Sequence, residues 1–485
     1  MNVKYVCRIT AYTVFMTALF MLAPAGIAFY DGETRNALVY LFVVGIMSVL
    51  GSVLFLVSRN FKPILYAQEG IAATSISWIV MSVFGALPFV LTGEIPRYID
   101  ALFEIVSGFS TTGASILSDV EALSRCNLFW RSFSHWMGGM GVLVFMLAVL
   151  PQTKKGEGSG IFLMKAESTG PSVSKFTPHL RQTAKILYIL YIAFTIACAV
   201  FLLLGELPLF DSLCLALGTA GTGGFGILND SAGSYSPYIQ GVLAVFMMLF
   251  GINFSMYYLI LLGQLKAVFK NEELRTYLGI ILASVVLITV NIYSMYGSVR
   301  ESMHHAFFQV SSIITTTGFS SVDFEQWPAF SKGILFILMF IGGCAGSTGG
   351  GMKVSRVLML GKNIVRTISQ TLHPRRMHLV KMDGHSVKES VANSVDAYLA
   401  VYCVIILFSF AIVSLDDYSL GTNFSAVVAC FNNIGPGFEL VGATGNYGHY
   451  SDLSKFVFII DMLLGRLEIF PLLALFSPDL WSRKR

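Results

Sequence analysis

The chain has 485 residues, of which 55% are hydrophobic and 12% are charged, and its formal net charge is +4. Soluble domains carry about 25% charged residues, so this composition argues against an ordinary globular protein and indicates a membrane protein with several spans. The seven cysteines show no CxxC spacing, so we predict neither a disulfide framework nor a zinc site.

Two uncharged stretches open the chain. Residues 11–29 and 38–58 are each long enough to cross a bilayer, and we assign residues 1–65 to an N-terminal pair of transmembrane helices. The first stretch follows Lys4 and Arg8 and contains Ala23-Pro24-Ala25, so a cleaved signal peptide is an alternative interpretation.

The rest of the chain repeats one pattern: a long apolar stretch, a short one, a turn with glycine, and a second long stretch. The short stretches have about 10–14 residues, which favours re-entrant pore helices over spanning helices. We place the four units at residues 66–155, 180–268, 272–368 and 390–480. With the N-terminal pair they predict an all-α membrane protein of about ten spanning helices around one pore.

The turns after the short stretches carry the main functional prediction. The third reads Ile314-Thr315-Thr316-Thr317-Gly318-Phe319, and related turns recur at intervals of roughly one hundred residues. Rings of backbone carbonyls can replace the water shell of a potassium ion, so we predict one selectivity filter built from four turns. The alternative is four structural turns between helices. The predicted ion-binding residues are Thr111, Thr112, Gly113, Gly221, Thr222, Gly223, Thr316, Thr317, Gly318, Asn433, Ile434 and Gly435.

A glycine-rich segment at residues 342–353 is the second signal. Each glycine costs a helix about 1 kcal/mol relative to alanine, so the second helix of the third unit should break here. We predict a movable loop in the ion path, whose gate residues are Gly346, Gly349, Gly350, Gly351 and Lys353. Helix packing mediated by glycine is the alternative.

Arg466 lies in an apolar helix, where an arginine at the membrane centre costs about 2.5–3.5 kcal/mol and needs partners. Asp461 and Glu468 lie about 140° and 160° away around the helix, so neither is a good partner. We therefore expect Arg466 to reach carbonyls of the glycine-rich segment or the pore, and to belong to the gate. The alternative is an arginine that extends to the inner membrane surface.

Lysine and arginine are concentrated in segments that this topology places on one side, which predicts that both termini are cytoplasmic. Acidic residues are concentrated on the other side. These acids predict an acidic outer vestibule that attracts cations. The alternative is that they lie outside only because the basic residues are concentrated on the inner side, and both interpretations remain open.

Residues 221–226 match GxGxxG, but no βαβ context surrounds them, and the chain has no Walker A sequence and no nucleophile–base motif. We therefore predict that it is not an enzyme and binds no organic cofactor.

The filter turns, the segments 135–141 and 342–353, and the sequences Asn432-Asn433-Ile434-Gly435-Pro436-Gly437 and Gly465-Arg466-Leu467-Glu468-Ile469-Phe470 together resemble the Trk/Ktr/HKT superfamily. The resemblance is greatest to the TrkH/TrkG membrane subunits of bacterial potassium uptake systems, which share the N-terminal pair. Gly221-Thr222 and Thr317 depart from the family pattern, which bears on the discrimination of K⁺ from Na⁺.

The resemblance implies a homodimer in the bacterial inner membrane, with K⁺ as the transported ion and one pore in each subunit. It also implies a cytosolic nucleotide-binding regulatory protein of the TrkA kind, docked on basic segments near residues 154–185 and 366–388, and no nucleic-acid partner. We predict channel-like potassium uptake. The alternatives are a secondary transporter that couples K⁺ to H⁺ or Na⁺, and a signalling or scaffold protein without conduction.

Overall fold

The computed structural model describes residues 2–59, 67–141, 180–373 and 379–481. Within these ranges the regular structure is helical except for one antiparallel hairpin, β1 (Lys381–Met382) and β2 (His385–Ser386). The predicted all-α class is therefore confirmed, apart from this short hairpin.

The helices follow one another along the described chain. They are α1 (Val3–Phe20), α2 (Leu22–Tyr30), α3 (Thr34–Val57), α4 (Ala67–Gly85), α5 (Leu87–Thr92), α6 (Tyr98–Phe109), α7 (Arg125–Gly139), α8 (Leu180–Leu204), α9 (Leu209–Gly221), α10 (Pro237–Phe250), α11 (Phe254–Leu261), α12 (Leu265–Lys270), α13 (Glu272–Tyr296), α14 (Val299–Ile314), α15 (Ala329–Ile341), α16 (Val354–Leu372), α17 (Glu389–Val413), α18 (Leu420–Phe431), α19 (Asp452–Arg466), α20 (Phe470–Ala474) and α21 (Pro478–Trp481).

Six helical segments of the described chain are long and apolar enough to cross a membrane, and the pair α10 and α11, bent by 87°, is a seventh candidate. The protein is therefore a multi-pass membrane protein. Two of the six segments, Val3–Tyr30 and Thr34–Val57, lie within the predicted N-terminal pair. The other four are Gln68–Thr92, Ala184–Leu204, Glu272–Tyr296 and Glu389–Asp416.

The second helix of each predicted unit is short. Helices α7, α10, α15 and α19 have 15, 14, 13 and 15 residues, or about 20–22 Å at 1.5 Å per residue. The hydrocarbon core is about 30 Å thick, so none of them crosses it alone. The sequence predicts such a break only in the third unit, and the total of about ten spans stays a prediction.

The four predicted pore helices correspond to α6, α9, α14 and α18, and they lie in the interior. In α18, for example, every residue from Ser425 to Phe431 is buried. The long helices instead leave apolar side chains such as Leu282, Val290 and Phe408 exposed. Short helices enclosed by protein are the arrangement that non-helical turns at membrane depth require.

Candidate functional site

Each of the four buried helices ends in the same kind of cap. At the end of α6, the N–H of Thr111 donates to the carbonyl of Gly108 at 3.1 Å, and the N–H of Thr112 donates to the carbonyl of Ser107 at 2.9 Å. The ends of α9, α14 and α18 repeat both bonds, with distances between 2.9 and 3.2 Å. This is the Schellman arrangement, which places one residue after the helix in the left-handed region.

The left-handed residue in these caps is not glycine. Thr111, Thr222, Thr316 and Asn433 have φ values of 59°, 52°, 59° and 56°. A left-handed conformation costs most L-residues about 1–2 kcal/mol, so the surrounding structure has to stabilise each turn. Polar side chains at these four positions supply hydrogen-bonding groups that glycine lacks.

The caps show which residues of the four turns are equivalent. They shift the predicted position of the second turn by one residue. Because Thr222 is equivalent to Thr111, the equivalent glycines are Gly113, Gly224, Gly318 and Gly435, with φ values of 79°, 76°, 90° and 96°. The predicted triplet Gly221-Thr222-Gly223 is therefore one residue too early. Gly221 is the last residue of α9, and the second turn reads Thr222-Gly223-Gly224.

The four glycines form a closed ring of close backbone contacts. A Cβ atom added to Gly113 would lie 2.0 Å from the carbonyl oxygen of Gly223, and one added to Gly224 would lie 1.9 Å from that of Thr317. From Gly318 the distance to the carbonyl oxygen of Ile434 would be 2.0 Å. From Gly435 the distance to the carbonyl oxygen of Thr112 would be 2.7 Å, which closes the ring. No side chain fits at these points, and the four predicted turns are brought together, whereas Gly221 lies against His135.

Side chains reinforce this ring. The amide Nδ2 of Asn433 donates to Thr112 Oγ1 at 3.0 Å and to the carbonyl of Met462 at 2.9 Å, which ties the fourth turn to the first. His135 lies 2.8 Å from the Gly108 carbonyl through Nδ1, and its Nε2 accepts the N–H of Phe225 at 3.2 Å. This network requires the proton on Nδ1.

His135 belongs to one of the segments that carry the family resemblance, but the sequence alone assigns it no role. Its position in His135-Trp136-Met137-Gly138-Gly139, where small residues allow close packing, was the available signal.

A cavity of about 100 Å³ lies beside the ring. It is lined by the four ring glycines and by residues that follow them, including Ser115, Asn229 and Tyr447. In the described part of the chain no acidic residue lines it. Two of the acids assigned to the outer side, Asp100 and Glu104, are instead paired with Lys455 and Arg131. The acidic vestibule is therefore not found at this cavity.

Residues 342–353 leave the helical path between α15 and α16, as the glycine content predicts. The N–H of Cys344 donates to the carbonyl of Gly251 at 2.9 Å, and Thr348 Oγ1 donates to that of Phe250 at 3.3 Å, which fixes this glycine loop to the end of α10. The N–H of Gly350 donates to Thr316 Oγ1 at 2.6 Å. The loop thus touches residues that precede the ring glycines, whereas the cavity is lined by the ring glycines and residues that follow them.

The predicted gate residues do not share one position. Cβ atoms on Gly349 and Gly350 would lie 2.8 Å from the Thr315 carbonyl oxygen and 2.6 Å from that of Asn432, so these two glycines pack directly against the third and fourth turns. Gly346 lies against Asn253, and Gly351 lies against Gly342. Lys353 is buried at a φ of 75°, and its Nζ donates to the Gly349 carbonyl. These contacts join the loop to the filter turns and to other loop residues, and the assignment of these residues to a gate stays a prediction.

Arg466 joins the loop to the first unit. Its Nη1 donates to the carbonyl of Thr348 at 2.9 Å and to Thr111 Oγ1 at 3.3 Å. Its Nη2 donates to the carbonyls of Gly138 and Gly139, the latter at 2.7 Å. Arg466 is 7% exposed, so it does not extend to the membrane surface, and the predicted contact with loop carbonyls is present.

The two acids near Arg466 in sequence have other partners. Asp461 accepts a hydrogen bond from Ser409 Oγ at 2.7 Å, and Glu468 pairs with Arg356. This agrees with their angular separation from Arg466 on an ideal helix.

The chain is similar to known transport proteins along its whole length. The sequence profile of the TrkH family, described as cation transport protein, matches residues 41–483. The Trk system potassium uptake protein TrkH of Salmonella typhimurium is 35% identical over 493 residues, covering 99% of this chain and 100% of that protein. TrkG of Escherichia coli is 34% identical, with 99% of each chain covered. The crystal structure of the potassium transporter TrkH from Vibrio parahaemolyticus superposes with a TM-score of 0.88 at 31% identity, covering 99% of this chain and 100% of that one.

Proposed function

This chain belongs to the TrkH family of cation transport proteins, a family of transporters and not of enzymes, and from that membership we propose that it takes up potassium through the ring of filter turns. The relatives are named as potassium uptake proteins, which supports the choice of ion. The observation that carries the proposal is the closed ring of backbone contacts among Gly113, Gly224, Gly318 and Gly435.

The ring suits a dehydrated cation. The residues that precede the ring glycines are Thr112, Gly223, Thr317 and Ile434, and their carbonyls face the neighbouring turns. Carbonyl oxygens can take the place of the water that K⁺ loses on entry. A membrane potential supplies about 2.3 kcal/mol per charge for each 100 mV, so uptake needs no chemical step in this chain. This proposal includes four repeated units around one pore, at residues 66–155, 180–268, 272–368 and 390–480.

The glycine loop and Arg466 form the gate in this proposal. The loop touches the filter turns at residues that precede the ring glycines, and the guanidinium of Arg466 lies within hydrogen-bonding distance of Thr111. A fixed positive charge next to the filter raises the barrier for a cation. Conduction then requires the loop, with Gly349, Gly350 and Lys353, to move away from the turns.

Coupled transport is the second candidate, and Asp461 favours it. This carboxyl group is buried, and its Oδ2 has no hydrogen-bond partner among the described residues. An intramembrane acid of this kind is a candidate for proton binding. A transporter that couples K⁺ to H⁺ would use such a group, whereas a channel would not need it.

The assembly that we propose follows the family. It is a homodimer in the bacterial inner membrane, with both termini in the cytoplasm and a TrkA-like nucleotide-binding protein on the inner face. The basic docking segments are described only in part: Lys185, Arg366, Lys381 and Lys388 lie in described ranges. Residues 142–179 and 374–378 lie outside the described residues, and so does the C-terminal group Arg483, Lys484 and Arg485.

The test is ion flux into vesicles that contain the purified protein. We expect uptake of ⁸⁶Rb⁺ that K⁺ competes for, with a reversal potential that follows the K⁺ gradient alone. A reversal potential that shifts with pH in the wild type and not in Asp461→Asn would establish H⁺ coupling instead. A protein that is folded and inserted but passes no Rb⁺, with or without its regulatory partner, would refute the proposal.

A further inference from the structure

We infer that Glu273 is a positioning residue that anchors both ends of the glycine loop, and this inference rests on the proposed function of the loop as a gate. Glu273 lies in the first turn of α13 and is 8% exposed. The sequence alone assigns Glu273 no role, because it is one of many acids at the ends of apolar stretches.

One carboxylate oxygen of Glu273 receives two backbone donors. Its Oε1 accepts the N–H of Ala345 at 2.6 Å and the N–H of Ser355 at 3.2 Å. These donors lie on either side of the segment that contains Gly349, Gly350 and Lys353. A single side chain therefore fixes where the mobile part of the loop begins and where it ends.

The second donor lies at a helix start that has no side-chain cap of its own. Ser355 is in the first turn of α16, where backbone N–H groups have no partner within the helix. The cap residue of α16 is Lys353, and its side chain accepts no hydrogen bond from that turn. Glu273 supplies from another helix the acceptor that a capping residue normally provides. If Glu273 is removed, both the loop entry and the start of α16 lose this acceptor.

The turn that carries Glu273 is itself held by the β-hairpin. Asp383, between β1 and β2, accepts the N–H of Glu272 at 2.7 Å and Nδ2 of Asn271 at 3.0 Å. Lys362 of α16 pairs with Glu272 and donates to the carbonyl of Lys381 at 2.6 Å. A protein that binds the hairpin would therefore act on the same turn that holds the loop, which gives the gate a route for regulation from outside the filter.

The experiment compares Glu273→Ala, Glu273→Gln and the control Glu389→Gln in vesicles without a regulatory partner. The control removes an exposed acid from the first turn of another long helix, α17. We expect Glu273→Ala to raise basal ⁸⁶Rb⁺ flux about tenfold or more, which corresponds to about 1.4 kcal/mol. Glu273→Gln should give a smaller increase, because a neutral amide oxygen still accepts both hydrogen bonds. Glu389→Gln should remain at the wild-type flux.

Cys344, which is buried in the loop, provides a second readout that does not depend on ion flux. In a background with Cys7→Ser and Cys403→Ser, a small thiol reagent should modify Cys344 faster in Glu273→Ala than in the parent. A merely structural role would lower the melting temperature without this local change.

The outcomes separate the two proposals. If Glu273→Ala folds and both flux and Cys344 modification match the wild type, or if flux falls, the inference is overturned. If Glu273→Ala does not fold, the same two readouts on Glu273→Gln decide, and unchanged values again overturn it. If the wild type passes no Rb⁺ while Cys344 still becomes more reactive, the proposed transport function fails and the anchor stands.

Discussion

Replacement of Arg466 by alanine tests the gate most directly. The side chain donates to Thr111 Oγ1 and to the carbonyls of Gly138, Gly139 and Thr348, and the bond to the Thr348 carbonyl reaches the glycine loop. A hydrogen bond to a charged group contributes about 1.5–3 kcal/mol. If that bond exists only while the loop is closed, its loss shifts the equilibrium toward the open loop by about 10- to 150-fold. We therefore expect Arg466→Ala to raise basal ⁸⁶Rb⁺ flux within that range.

The assay is initial-rate uptake into vesicles at matched protein density and fixed membrane potential. Arg466→Lys should give an intermediate flux, because an ammonium group keeps the charge but cannot reproduce the planar donors of a guanidinium. Arg97→Ala is the matched control, since Arg97 forms an exposed ion pair with Asp452, and such pairs contribute about 0–1 kcal/mol. Folded Arg466→Ala with wild-type flux would show that Arg466 does not hold the loop.

Two further predictions concern the ring and its support. Gly318→Ala should abolish K⁺-selective flux, because the added Cβ would lie 2.0 Å from the Ile434 carbonyl oxygen and the backbone at this position has a φ of 90°. In the control Gly333→Ala the added Cβ meets nothing within 4 Å, so this variant should behave as wild type in the same uptake assay. Glu104→Gln should destabilise the protein by about 3–5 kcal/mol, the usual cost of breaking a buried ion pair, because Glu104 and Arg131 have side chains 0% and 2% exposed. Thermal unfolding in detergent measures this change, and an unaltered melting curve would contradict it.

The sequence predicts the parts of the fold that depend on length and polarity. A bilayer sets a minimum length for a spanning helix. Length alone therefore identifies residues 38–58 as a spanning helix and the shorter stretch before Thr111 as a buried helix. The breaks in the second helices are less visible. Phe250-Gly251-Ile252-Asn253 is almost as apolar as a continuous span, yet α10 and α11 meet there at 87°. The apolar composition of a segment therefore does not predict where a helix bends.

The alignment of the second filter turn shows a different limit. Residues 221–226 contain four glycines, so several placements of the turn fit the pattern equally well. The hydrogen bonds of the cap decide the placement, because they put Thr222, with a φ of 52°, directly after the helix. Gly223 then carries the carbonyl that contacts Gly113. The contacts of Arg466 were easier to predict. A buried charge requires partners, and their angular positions on the helix exclude Asp461 and Glu468 as those partners. The sequence could show that Arg466 reaches across, but not that it reaches the end of α7.

The glycine loop and Arg466 supply the hydrogen-bond donors that the ends of the broken helices need. A helix that ends at membrane depth leaves carbonyl groups without partners, and no water is available in the hydrocarbon region to replace them. Arg466 satisfies the carbonyls of Gly138 and Gly139 at the end of α7. The loop satisfies those of Phe250 and Gly251 at the end of α10, through Thr348 and Cys344. The hydrogen bonds that would close the gate therefore also stabilise the helix ends. In the proposed gate, opening would have to supply each of these carbonyls with a new partner, and water entering the pathway would be that partner.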